Sequence, residues 1–308
     1  MHQLVLLLLF LFLPDATFST PAAGPSCNRQ CGSTTVPYPF GFSGGGGGGE
    51  CPILLACNAT TSTALLPRST AAAPYPVLSF NSTASTFLVS LAPSCGRGVA
   101  EVRSALDGAG YGVTSRTGLF LRGGGGGGGG PATTGSNSSS CNVPSGVMSA
   151  ILHTAQCGGG NDTSWTCVLS APPAPGSPAA ASGEGQFLRW DSVAGAGCQD
   201  ALTSAVYAYT AQGVPSIEFG IAEMGWWLNG SCNSGGGGGQ CALNATCHDV
   251  QTPDGAWGHR CTCADGMSGD GFAAGDGCHY DSAPSGECAV LVLPTVINYI
   301  SLLSFSSR

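Results

Sequence analysis

The sequence predicts a mainly β, disulfide-rich protein built of small modules. The chain has 16 cysteines and 50 glycines, and only 8% of its residues are charged. With so few charges and so many residues that are costly to order, the core must rely on disulfides as much as on apolar burial. We expect an N-terminal cysteine-stapled β-rich domain, an associated β-rich region with short helices, and a C-terminal hairpin module.

The first 22 residues are typical of a secretory signal peptide. The apolar run from Leu4 to Leu13 is followed by small residues and prolines, and it is shorter than the roughly 20 residues of a membrane span. In an oxidising compartment the cysteines are expected to form disulfides. Six asparagines stand in N-x-Ser/Thr sequons and predict an extracellular glycoprotein: Asn58, Asn81, Asn137, Asn161, Asn229 and Asn244.

Composition argues against several function classes. The chain has no lysine, which a P-loop or a protein kinase requires, so the glycine runs 44–49, 123–130 and 235–239 are not expected to hold a nucleotide. A net charge of −8 without a basic cluster argues against nucleic-acid binding. Glu218 and Glu223 are the nearest pair of glutamates, but no acid/base partner accompanies them. We expect no enzyme, no catalytic residue, no cofactor and no metal site.

Sequence periodicity predicts individual elements. Segments 77–80 and 86–91 are predicted to form a hairpin, and 217–221 alternates apolar and polar residues as a half-buried strand does. Segments 145–156 and 199–209 are the best helix candidates.

The segment 27–42 reads CNRQCGSTTVPYPFGF and is the most informative part of the sequence. Pro37 and Pro39 fix φ and lack N–H donors, so Tyr38 and Phe40 must pack from an irregular, cysteine-stapled loop. This combination resembles the opening of the galacturonan-binding module of plant wall-associated receptor kinases. Five cysteines match that module: Cys27, Cys31, Cys51, Cys57 and Cys95.

Six cysteines between residues 232 and 278 resemble an EGF-like domain, with intervals of eight, five, thirteen, one and fourteen residues. The resemblance implies three disulfides: Cys232–Cys247, Cys241–Cys261 and Cys263–Cys278. Calcium-binding EGF-like modules carry an acidic cluster just before the first cysteine. Here residues 223–228 read EMGWWL, so we expect no calcium ion.

The chain as a whole resembles the ectodomain of a wall-associated receptor kinase-like protein that is truncated before any kinase. The resemblance covers roughly residues 25–280. It implies a division into a signal peptide (1–22), a galacturonan-binding-like domain (25–100), an associated region with Gly/Pro-rich loops (101–228), an EGF-like domain (229–280) and an apolar tail (281–308).

The tail leaves two questions open. Its apolar stretch, 289–305, is short for a membrane span and lacks the polar spacer of a glycolipid-anchored protein. We expect a protein secreted into the plant cell wall, and attachment to the outside of the plasma membrane is the alternative. Nine cysteines precede the EGF-like segment, so either Cys288 pairs with one of them or one thiol is left over.

The resemblance implies binding of pectin, a polymer of galacturonate. The charge distribution agrees, because residues 27–122 hold six arginines against three acidic residues. Arg68, Arg97 and Arg103 are the candidate partners of the carboxylates, and Tyr38 and Phe40 are candidate apolar wall residues. Lysine is absent, so affinity must come from few charges, from calcium bridging two carboxylates, or from avidity.

A second function class stays open at this point. The EGF-like unit and the strand before it could dock another receptor protein without any direct contact to polysaccharide. Trp226 and Trp227, just before that unit, could stack on sugar rings, although packing as interdomain core is the interpretation we favour.

Overall fold

The computed structural model describes residues 27–43, 51–68, 73–122, 141, 143, 145–155, 157, 165–170, 185–209, 215–233 and 238–280. The expected signal peptide, the apolar tail and Cys288 lie outside these residues. The sequons at Asn137 and Asn161 lie outside them as well.

The described residues are mainly β, as the sequence predicts. Their α-helices are α1 (Val99–Leu106), α2 (Ser145–Thr154) and α3 (Trp190–Gly195). Their strands are β1 (Gln30–Cys31), β2 (Thr34–Thr35), β3 (Phe40–Phe42), β4 (Ile53–Asn58), β5 (Thr63–Leu66), β6 (Tyr75–Asn81), β7 (Thr86–Ser90), β8 (Tyr111–Val113), β9 (Thr117–Arg122), β10 (Trp165–Val168), β11 (Asp200–Tyr209), β12 (Pro215–Phe219), β13 (Ile221–Trp226), β14 (Leu228–Asn229), β15 (Ala245–Gln251), β16 (Trp257–Cys263), β17 (Met267–Ser268) and β18 (His279–Tyr280).

The larger sheet has seven strands in the order β3-β4-β5-β6-β7-β13-β8. β3 lies parallel to β4, and the other neighbours are antiparallel. The predicted hairpin is confirmed by β6 and β7, whose register pairs Asn81 with Thr86 at the turn. Phe87 and Val89 are buried along β7, while the alternate residues Thr86, Leu88 and Ser90 are partly exposed. This strand therefore shows the period-two pattern of a sheet with one covered face.

A second sheet of four strands has the order β10-β9-β11-β12. The sequence-based prediction for one of these strands was wrong. Segment 199–209 was expected to be helical but forms β11, which is hydrogen-bonded to β9 on one side and β12 on the other. The Thr203 hydroxyl donates to the Leu91 carbonyl at 2.9 Å, and the Ser204 hydroxyl donates to the Ile221 carbonyl at 2.6 Å. Tertiary pairing on both edges therefore outweighs the weak local preference of this segment.

The predicted strand at 217–221 is present but interrupted. β12 ends at Phe219 and β13 begins at Ile221, and the intervening Gly220 has a φ of 80° that a side chain would disfavour. The two strands belong to different sheets, so this glycine passes the chain from one sheet to the other. Helix α2 confirms the predicted helix at 145–156 within two residues at its end.

Disulfides join distant parts of the main body, which we define as residues 27–227. The pairs are Cys27–Cys51, Cys31–Cys57, Cys95–Cys157 and Cys141–Cys167. One buried cluster includes Val36, Leu66, Leu121 and Trp226, so a single core draws on residues from both sides of the sequence division at residue 100.

The C-terminal module, residues 228–280, has a small three-stranded sheet, β14-β16-β15, and the two-stranded β17-β18. Its disulfides are Cys232–Cys247, Cys241–Cys261 and Cys263–Cys278, the pairs that the EGF-like resemblance implies. With Leu228, Cys261 and Phe272 as its own buried cluster, the module depends heavily on these crosslinks.

A buried carboxylate attaches the N-terminal loop of the body to the C-terminal module. Asp270, 3% exposed, accepts hydrogen bonds from the backbone N–H groups of Phe272, Asp276 and Gly277 at 2.8–3.1 Å. It also accepts the N–H of Tyr38 at 3.3 Å and lies 3.5 Å from a guanidinium nitrogen of Arg29. One carboxylate thus organises the loop of the module and binds the N-terminal segment to it.

A second contact between the two parts surrounds the tryptophan pair. Trp227 packs against the ring of Phe187 at 4.9 Å between centroids, with Val250 completing the cluster. Arg260 donates to the Trp226 carbonyl at 2.8 Å and lies over the Phe187 ring at 5.3 Å. Burial lowers the pKa of Arg260 to about 10, so the side chain stays protonated at neutral pH. Trp227 is interdomain core, the interpretation that the sequence favoured, whereas the Trp226 side chain is buried in the core of the main body.

We predict that Asp270→Ala destabilises the chain severely. The buried N–H of Phe272 and the partly buried N–H groups of Tyr38, Asp276 and Gly277 lose their acceptor, so the free energy of unfolding should fall by about 3 kcal/mol. Denaturant unfolding with the disulfides intact, followed by tryptophan fluorescence, measures this change. Asp265→Ala is the matched control, because Asp265 is exposed in the same module and its replacement should cost less than about 0.5 kcal/mol. Equal effects of the two replacements would show that Asp270 does not hold the modules together.

Candidate functional site

One residue predicted to contact the ligand is a core residue instead. Phe40 is 0% exposed, and its ring packs edge-on against Phe87 and Trp226 with centroids 5.1 Å apart in both cases. The expectation that Phe40 lines a binding wall is therefore wrong, because no polymer can reach its ring. The proline-rich loop supplies the large sheet with a core aromatic residue.

Tyr38 faces the C-terminal module. Its ring lies 5.3 Å from that of Phe272, and burial raises the pKa of its hydroxyl. Tyr38 is only partly buried, but the side that packs is committed to a contact within the protein.

Two of the three predicted arginines come together around a tyrosine. The guanidinium of Arg68 lies 4.6 Å from the centroid of the Tyr75 ring, and that of Arg97 lies 5.9 Å from it. Arg68 donates to the Ala73 carbonyl at 2.8 Å and forms an ion pair with Glu101. We name Arg68, Tyr75, Arg97 and Glu101 the arginine cluster.

Charge within the arginine cluster is incompletely balanced. Arg97 donates to the Ala92 carbonyl at 2.6 Å, which is a neutral acceptor, whereas Glu101 compensates Arg68. Burial lowers the pKa of Arg97, and the nearby charge of Arg68 lowers it further. Arg68 Nε, Tyr75 Oη and Arg97 Nη1 are buried without a hydrogen-bond partner among the described residues, and Glu101 Oε1 is buried with only its ion pair to Arg68. Such a cluster is chemically suited to one carboxylate.

The sequence contained a signal for Tyr75 that our prediction missed. The tripeptide Pro-Tyr-Pro occurs at 37–39 and again at 74–76. The first copy places Tyr38 against the C-terminal module, and the second places Tyr75 between two arginines.

The third predicted arginine, Arg103, lies elsewhere. It is on α1 and faces a cleft of about 550 Å³ between the body and the C-terminal module, which we name the inter-module cleft. The charged residues that line this cleft are Arg103, Asp107, Arg189, Asp191 and Asp254. Trp190, Trp227 and Asn229 line it as well.

The inter-module cleft does not favour a polyanion. Its three carboxylates outnumber its two guanidinium groups, and Arg103 and Arg189 each lie 3.6 Å from an aspartate oxygen. The hydroxyl of Thr252 holds the pKa of Asp254 below its usual value, so that this group is ionised at neutral pH. Burial raises the pKa of Asp107, although Arg103 opposes the shift. Arg103 is therefore poorly placed to attract galacturonate.

The two glutamates considered for catalysis lie in different environments, one buried and one exposed. Glu223, 5% exposed, accepts a hydrogen bond from Thr114 at 2.8 Å and from Arg116 Nε at 2.9 Å, and it is part of the core. Glu218 is exposed on β12. Within the described residues, no group of three or more His, Cys, Asp or Glu side chains could hold a metal ion.

Four predicted glycosylation sites are described, and all have exposed asparagines: Asn58, Asn81, Asn229 and Asn244. Exposure is what attachment of a glycan requires, and their modification stays a prediction. None of the helices in the described part of the chain has the length and apolar character that a membrane crossing requires.

Comparison with known proteins finds two similar plant proteins. No protein-family model matches the chain, and no solved structure matches it. Wall-associated receptor kinase-like 14 of Arabidopsis thaliana is 27% identical over 282 residues, which are 88% of this chain and 34% of that protein. Wall-associated receptor kinase-like 21 of the same plant is 39% identical over 89 residues, which are 29% of this chain and 13% of that protein. The chain spans about a third or less of the length of these relatives, and over most of its own length it is homologous to wall-associated receptor kinase-like proteins.

Proposed function

We propose that this chain is a wall-facing, extracellular receptor-like ectodomain that binds acidic cell-wall polysaccharide, with galacturonan as the ligand. The observation that carries the proposal is the homology over 88% of the chain to a wall-associated receptor kinase-like protein. The seven disulfides among the described residues and the exposed sequons support an extracellular location. The proposed location of the protein is the plant cell wall.

The arginine cluster is the proposed contact for a galacturonate carboxylate. Arg97 donates to the neutral carbonyl of Ala92, and Arg68 adds a second positive charge beside the same ring. A carboxylate placed against the partly exposed side chain of Arg97 would relieve the repulsion of the two guanidinium groups. Tyr75 is 6% exposed, so its contribution is to hold the arginines rather than to present a broad stacking face.

The proposed site is small, and this sets the expected strength of binding. The other arginines of the described residues pair with carboxylates or are buried, as Arg116 does with Glu223 and Arg122 with Asp200. A single carboxylate contact gives weak affinity for one sugar unit. Tight retention then requires a polymer with many equivalent carboxylates or several copies of the receptor, which act through avidity.

A second candidate function is docking of another protein by the C-terminal module. The observation that favours it is the exposure of large apolar side chains there, with Leu243 at 86% and Tyr280 at 74%. Under this alternative, Leu243→Ser weakens capture of a receptor partner and leaves retention on oligogalacturonate unchanged.

We predict that Arg97→Gln weakens binding to immobilised oligogalacturonate by about tenfold, because one charge-assisted hydrogen bond is lost. Surface plasmon resonance with the secreted protein measures the dissociation constant. Arg189→Gln is the matched control: Arg189 is 72% exposed beside Asp191, in the acidic cleft, and its replacement should leave the constant unchanged. Wild-type affinity of Arg97→Gln, or equal retention on neutral glucan, would contradict the proposed site.

We also predict that salt weakens the wild-type interaction. Raising ionic strength from 0.1 to 1 M shortens the screening length from about 10 to about 3 Å, so attraction between partly exposed guanidinium groups and the polymer falls. The decrease should be smaller for Arg97→Gln than for wild type. Titration of the binding constant against sodium chloride tests this, and an affinity that is independent of salt would rule out an electrostatic contact.

A further inference from the structure

The inter-module cleft has a glycosylation sequon on its wall. Asn229 ends β14, where it pairs with Gly258 of β16, and its side chain is exposed. Asn229, Gly230 and Ser231 form the sequon, and Asn229 is one of the residues that line the cleft. A glycan attached here would begin at the cleft itself.

The chemistry of the cleft suits an uncharged sugar. It offers carboxylate acceptors and guanidinium donors side by side, which is what a hydroxyl-rich ligand needs. Its volume of about 550 Å³ is within the range of sites that hold small ligands. Trp190 Nε1 is buried without a partner among the described residues, and Trp190 and Trp227, at 5% and 4% exposure, supply apolar edges. The excess of carboxylates disfavours an acidic sugar.

We propose that the first sugars of an N-linked glycan on Asn229 occupy the inter-module cleft and tie the body to the C-terminal module. Covalent attachment gives those sugars an effective concentration at the cleft that a free oligosaccharide reaches only at millimolar levels or above. The glycan therefore excludes soluble sugars of the same chemistry from this place. This proposal concerns a different surface from the arginine cluster, and it stands or falls independently of galacturonan binding.

The two walls of the cleft belong to different parts of the protein. Arg103 and Asp107 come from α1 and Arg189 and Asp191 flank or lie in α3, all within the body. The opposite wall is the loop 252–256, which joins β15 to β16 of the C-terminal module. A sugar in hydrogen-bond contact with both walls adds a third link to those made by Asp270 with Tyr38 and by Trp227 with Val250.

Asn244 provides a matched control site within the same module. It is exposed and precedes β15, whereas the cleft loop follows the end of that strand. Seven residues of strand separate the two by about 20 Å, so a glycan on Asn244 is not expected to reach the cleft.

The test uses the full chain secreted from eukaryotic cells. Glycopeptide mass spectrometry measures occupancy at Asn229 and Asn244, and then the rate at which an amidase removes each glycan is followed on the folded protein. We expect both sites to be occupied, with removal at Asn229 at least tenfold slower, and equal rates after reduction and unfolding. An unoccupied Asn229, or equal removal rates on the folded chain, would overturn the proposal.

A variant pair gives a second readout. Asn229→Gln should lower the melting temperature of the secreted protein, while Asn244→Gln should leave it unchanged. A melting temperature that is the same in both variants and in wild type would contradict a glycan that ties the modules. The removal rates are measured on the unaltered chain, so they decide the question even if Asn229→Gln fails to fold.

Discussion

The hydrogen bonds of the buried Asp270 carboxylate determine which residues remain available for contact with a ligand. They hold the N-terminal loop against the C-terminal module, with Tyr38 on Phe272 and Arg29 on Asp270. Because such a carboxylate is stable only when its acceptor sites are filled, the two parts of the chain must pack as one unit. Tyr38 is consequently committed to a contact within the protein, and Phe40 is buried separately in the core of the body.

This packing moves the proposed binding surface to the second Pro-Tyr-Pro. Tyr75 lies on β6 of the large sheet. Its ring contacts Arg68 and Arg97, which come from the segments before and after the β6–β7 hairpin. Arg103 is drawn instead to the acidic cleft between the modules. The arginine cluster thus has an excess of positive charge and the inter-module cleft an excess of negative charge. Of these two surfaces, only the arginine cluster is compatible with a polyanion.

Much of the fold could be predicted from the sequence, whereas the site could be predicted only in part. Cysteine spacing, the hairpin of β6 and β7 and the helix α2 are predicted from local signals, and the structure contains all three. The strand β11 was missed because its pairing partners lie far away in sequence. Phe40 was misassigned because an extended, proline-rich loop gives no periodicity from which to read the buried face. Tyr75 and Glu101 join the arginines only through tertiary contacts.

A crystal structure of the secreted, glycosylated chain with a galacturonate oligomer tests the central claim most directly, namely that this ectodomain grips acidic polysaccharide at the arginine cluster. The account predicts a galacturonate carboxylate in hydrogen-bond contact with Arg97, beside Tyr75. Electron density for the oligomer in the inter-module cleft, with no galacturonate in contact with Arg97, would contradict it.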